Sequence, residues 1–177
     1  LDYKDKLAEI RAKQKTLIKN KDAVTGNTNW RVNDSLSKGR KMVNDTQKLL
    51  LRAFNTECDD LISNVKYTNY DASLNRIYKS AESISKLGTI MDISIKSAYL
   101  NLKVEELRLA FEYQQKKQEE KEAQKAARAE LREAARLQKE IEAQRKKIEK
   151  EQTHYQTAYD HILKQLEQSP EDSALLA

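Results

Sequence analysis

The chain has 177 residues, a net charge of +5, 34% charged and 6% aromatic residues, one proline, three glycines and one cysteine. That length allows one domain, or one domain with an appendage, and so few turn-forming residues mean long elements and few turns. Lone Cys58 excludes an internal disulfide framework and favours a reducing compartment, and no apolar run or leader of the kind that crosses or enters a bilayer is visible.

The positive charge is uneven. Residues 1–60 hold 13 Lys and Arg against 9 Asp and Glu, while residues 114–177 hold 13 against 13. An excess this mild is ordinary for a solvated surface.

Residues 3–22 carry Leu7, Ile10, Leu17 and Ile18 at helical spacing, which predicts a first helix with one apolar face. Residues 25–38 break the pattern with Gly26, Asn27, Asn29, Asn33 and Asp34, so a long loop is expected there. From Gly39 to about Tyr67 an apolar stripe runs through Met42, Val43, Thr46, Leu49, Leu50, Phe54, Cys58, Leu61, Ile62 and Val65. Steps of three and four over that length predict a second helix at 39–67.

A third helix is expected over 70–87, capped by Asn69 or Asp71, with Leu74, Ile77, Tyr78, Ala81, Ile84 and Leu87 on its face. Gly88 is placed to end it in the left-handed region. Asp92 or Ser94 is the expected cap of a fourth helix, which starts apolar with Ile95, Tyr99, Leu102, Leu107, Leu109 and Phe111. Beyond Tyr113 strong helix formers follow almost without interruption. The prediction is one helix over 94–168, on the order of 110 Å long at 1.5 Å per residue.

Ala134, Ile141, Ile148, Tyr155 and Ile162 recur every seven residues. Their companions four residues on include Gln138, Arg145 and Gln152, which a tight two-stranded coil disfavours. A solvated charged spacer and a weak coiled coil both remain open. Ser169, Pro170, Glu171 and Asp172 have the order of a new helix start. With a first residue that is not Met, this suggests a piece of a longer protein.

Candidate chemistry is sparse. His154 and His161 stand seven apart on a charged helix, two turns or about 10 Å, too far to chelate one ion alone. Cys58 falls on an apolar stripe and reads as a small buried hydrophobe. No catalytic or metal-ligating residue is therefore assigned, and no cofactor or small-molecule substrate is expected.

The stretch TNWRVNDSLSKGRKM, residues 28–42, has two readings. In one, Trp30 folds down over a hydrophobic face with its indole N–H tied to a carbonyl. In the other, Gly39 lets the backbone turn closely, and Arg40 and Lys41 start a helix whose free N–H groups favour an anion. Lys41, Lys48 and Arg52 would then line one face, with Lys38 beside them, as phosphate contacts. Both can hold together, so Trp30, Lys38, Arg40, Lys41, Lys48 and Arg52 form the candidate partner-binding or phosphate-binding set.

The segments DYKDKLAEIRAKQKTLIKN, SKGRKMVND, LLLRAFNTECDDLISNVKY and KLGTIMDISIKSAYLNLKVEELRLAFEYQQKKQEEKE resemble a DUF-type helical domain of bacterial and phage proteins. That domain precedes a GIY-YIG nuclease domain and occurs in SNIPE-type phage-defence nucleases. The resemblance implies that the DNA-cutting chemistry, with its divalent metal, belongs to the downstream nuclease domain. No GIY or YIG triplet occurs here, so no nuclease residue carries over.

The expected architecture is all-α: a compact helical domain over residues 1–113, a charged helical rod over 114–168, and the start of another helix at 169–177. The expected role is recognition and positioning of the nuclease, with a phage protein or host DNA-entry complex as partner. Direct non-specific DNA binding and coiled-coil oligomerisation are the alternatives. The expected location is cytoplasmic, with any inner-membrane anchor lying outside this chain.

Overall fold

The computed structural model describes residues 2–168. The helix start expected at Ser169 and Pro170 lies outside them. The described residues form four α-helices: α1, Tyr3–Lys19; α2, Leu36–Ser63; α3, Tyr70–Leu87; and α4, Ser97–Gln168. A single 3-10 turn, Thr89–Met91, lies between α3 and α4. The described residues form no strand, only two isolated bridges, Val24 with Ile95 and Val32 with Ser35. The all-α class expected from the periodicity is the class observed.

The chain divides into two compact units between Glu120 and Lys121. In the first, α1, α2, α3 and the opening turns of α4 enclose one core. Phe54, Cys58, Ile77, Ile93, Tyr99 and Leu107 are buried at its centre. Burying such side chains contributes about 1.5–3 kcal/mol each. Aromatic pairs extend the packing, with the Tyr3 and Tyr113 rings stacked at 4.2 Å and those of Tyr70 and Phe111 at 4.5 Å. In the second unit α4 continues as a helix without a buried side chain.

Element boundaries shift where local hydrogen bonds decide them. The second helix begins at Leu36 and not at Gly39, because Ser35 caps it: its hydroxyl oxygen accepts the Lys38 N–H at 3.3 Å. It ends at Ser63, short of Tyr67. The fourth helix begins at Ser97 and not at Asp92 or Ser94, since Ile95 pairs with Val24 in a bridge. Asn69 is the N-cap residue of α3, one of the two expected, but its side chain makes no capping hydrogen bond; its carboxamide closes the preceding turn, accepting the Lys66 N–H and donating to the Asn64 carbonyl.

Gly88 is not left-handed. Its φ is −87°, and the left-handed residue is Asp92. Glycine is required at 88 for contact, since a Cβ there would stand 2.4 Å from the Ile93 carbonyl oxygen.

The apolar stripe of α2 is also wider than the arc that the core covers. Val43, Phe54, Cys58, Leu61 and Ile62 are buried, but Met42 is 46% and Leu49 66% exposed. Tyr78 and Leu87 of α3 are likewise exposed.

Candidate functional site

The long loop between α1 and α2 is folded onto the domain. Lys21 begins it in the left-handed region, at φ 60°. Thr25 then ties the loop to the segment before α4. Its N–H donates to the Ser94 carbonyl at 2.9 Å, and its hydroxyl donates to the Asp92 carbonyl at 2.7 Å. Asn27 donates to the Met91 carbonyl, and Lys96 to the Ala23 carbonyl. From the other side the Gln47 amide donates to the Thr25 carbonyl at 2.8 Å.

The loop then turns back at Asn33 and Asp34, both with positive φ, between the paired residues Val32 and Ser35. Two successive positive φ values are the geometry of a tight hairpin turn.

Trp30 packs half-buried against the core cluster, as an anchor of the loop. Its indole N–H makes no hydrogen bond to a carbonyl among the described residues, contrary to the expectation. The loop backbone instead crosses α2 at Gly39, where a Cβ would lie 1.7 Å from the Trp30 carbonyl oxygen. Gly39 thus serves loop-to-helix contact. It does not open a helix terminus toward an anion: Ser35 already accepts the Lys38 and Gly39 N–H groups, and Arg40 and Lys41 lie in the second turn.

The fold separates the cations grouped from sequence. Lys38 and Lys41 border a shallow groove of about 430 Å³ with Met42, Asp45 and Leu49. Lys41 is not free there, since its ammonium pairs with Asp45 at 2.9 Å. That hydrogen bond holds the Asp45 carboxyl below the usual carboxylate range. Arg40 lies on another side of α2, in a groove of about 530 Å³ with Lys21, Asn27, Asn44, Gln47 and Lys96. Lys48 borders an adjoining groove of about 250 Å³ with Lys19, Lys21, Asn44, Gln47 and Leu51.

These last two grooves share Lys21, Val24, Asn44 and Gln47 and form one trough. Arg52 is exposed and borders neither groove. Lys19, Lys21, Asn44, Gln47 and Lys96 were not legible as site residues, because three remote segments meet there only after folding.

A second polar cluster lies inside the domain. Glu106 is only 2% exposed. One of its carboxylate oxygens accepts from the Arg11 guanidinium at 3.0 Å and the other from the Gln14 amide at 2.8 Å. Buried Lys103 approaches that second oxygen at 3.7 Å and pairs with Asp59 at 3.0 Å. Nearby, the Tyr99 hydroxyl donates to Asn55 at 2.6 Å. The cluster joins α1, α2 and α4 and leaves no buried side-chain donor or acceptor unmatched among the described residues.

Lys103 favours the Cys58 thiolate, but burial outweighs it. Burial pushes its thiol up to about 12, away from nucleophilic use. Among the described residues no three His, Cys, Asp or Glu side chains converge as a metal site, and no helix is long and apolar enough to cross a membrane.

Fold and surface together define an all-helical domain whose polar groups bind one another or face solvent. The model of the SNIPE associated domain matches residues 1–118, and the chain belongs to that family. No curated protein and no solved structure matches the chain.

Proposed function

We propose that this domain is the recognition and positioning module of an anti-phage GIY-YIG nuclease. It binds a phage protein or a component of the DNA-entry complex and thereby places the nuclease. The observation that carries this reading is the family match over residues 1–118. Supporting it, the domain offers solvent an unusual combination on α2, exposed Met42 and Leu49 beside Lys38 and Lys41. Apolar side chains rimmed by charge are what protein recognition uses. The test is co-purification of the full protein with phage structural and host entry proteins during infection. Specific capture of one of them is expected; capture of none during productive infection removes the reading.

A second reading, self-association, is favoured by one observation. Ile141, Ile148, Tyr155 and Ile162 recur every seven residues along α4 and are all exposed. A seam of that period suits a helix partner. Sedimentation velocity over a hundredfold concentration range should show a concentration-dependent dimer, lost in the I141D/I148D variant. A monomer throughout contradicts this reading.

A further inference from the structure

The trough between the end of α1 and the middle of α2 has a composition that the family match does not explain. Lys19, Lys21, Arg40 and Lys48 stand on it with no ion pair among the described residues, and no carboxylate borders it. Its remaining cation, Lys96, is paired with Asp22 at 3.0 Å. Lys19, Lys21 and Arg40 thus face the concavity without a carboxylate partner, while Lys48 is partly offset by Asp45 from outside the lining, and this excess attracts a ligand carrying several negative charges.

The lining also discriminates between kinds of anion. The Asn44 carboxamide makes no hydrogen bond among the described residues, so its two donors and its acceptor are available. Gln47 spends one N–H on the Thr25 carbonyl and keeps the other. Beside these amides the lining is aliphatic, with Val24 and Leu51. A single nucleic-acid strand has no use for an aliphatic lining and is usually gripped by aromatic stacking, but no aromatic residue lines the trough.

An extended peptide meets all three features. Its backbone amides match Asn44 and Gln47, and alternate side chains reach the aliphatic lining and the cations. Arg40 to Leu51 spans about 16 Å along the helix, the length of about five extended residues.

We propose that this trough binds an extended, acidic segment of a partner protein, with apolar side chains over Val24 and Leu51 and carboxylates on Lys21, Arg40 and Lys48. The proposal rests on the reading above that the domain recognises a protein, and names the chemistry of the segment recognised.

Fluorescence anisotropy of the whole chain tests it with three labelled probes. These are an octapeptide alternating Glu and Leu, the same peptide with Lys for Glu, and an oligothymidine of equal negative charge. The acidic peptide should bind at about 50 mM salt and weaken as salt rises. K21E/R40E should lose at least tenfold in affinity, while K38E/K41E, which border a separate groove, should bind as the wild type does. No binding of the acidic peptide, equal binding by K21E/R40E, or tighter binding of oligothymidine overturns the proposal. If circular dichroism shows that K21E/R40E is unfolded, N44L/K48E carries the same comparison.

The infection co-purification separates the two levels. Equal capture by wild type and K21E/R40E removes the trough and leaves the recognition reading intact. No capture by wild type removes that reading itself.

Discussion

Glu106 shows what one residue does here. It lies on the buried face of α4 with Tyr99 and Lys103, seven and three positions earlier, and holds Arg11, Gln14 and Lys103 around it. Removing one partner from a buried ionic group leaves the others desolvated and unmatched. Glu106→Leu should therefore cost about 3 kcal/mol, read as a lower urea midpoint; an unchanged midpoint contradicts the assigned geometry. Arg11 is more than half exposed, so Arg11→Ala should cost less, about 1 kcal/mol. The cluster was hard to read from sequence because Lys and Glu three apart usually mark a solvated face. The available signal was their spacing from Tyr99 and Leu107, which puts them inside the apolar stripe. Cys58 and Tyr99 lead to a pH prediction. Burial raises both groups to about 12, from ordinary values of 9.0 and 10.0. Above about pH 9 the unfolded chain gives up these protons while the folded chain keeps them, so stability must fall as pH rises toward 12. The urea midpoint should decline over that range, and Cys58 should resist iodoacetamide near pH 8 until denaturant is added. A flat midpoint, or labelling of the native protein within minutes, contradicts the buried placement.

Among the elements, the helices were legible where one stripe met one core. Phe54, Cys58, Leu61 and Ile62 of α2, and Ile77, Ala81 and Ile84 of α3, are buried as their spacing of three and four requires. Met42 and Leu49 belong to the same run of apolar residues, yet face solvent. Periodicity counts apolar residues, whereas burial also depends on which arc another element covers. Composition marks a loop before α2, but not the path it takes. That path depends on Thr25 meeting Ser94 and on Trp30 crossing Gly39, contacts between remote positions. Gly39→Ala tests that crossing. A methyl group cannot occupy a point 1.7 Å from a carbonyl oxygen, so the loop must lift or the helix must shift. A loss of about 3 kcal/mol is expected, with a red shift in the emission of Trp30, the only tryptophan. Wild-type emission and stability in G39A contradict the close approach.

At the scale of the whole molecule, the described residues satisfy their own buried polar groups and leave cations and apolar side chains exposed to solvent. The candidate set from sequence was partly separated by the fold. Trp30 anchors the loop, Lys41 is neutralised by Asp45, Arg40 and Lys48 share the trough, and Lys38 and Arg52 lie elsewhere. The cations that helical spacing grouped in one row thus border different grooves of the folded domain. On the proposed reading this chain works by contact and not by catalysis. Incubating the purified chain with phage and plasmid DNA in magnesium or manganese tests it most directly. The DNA should remain intact at protein excess over hours. Metal-dependent cleavage that follows the chain through successive columns would contradict the claim.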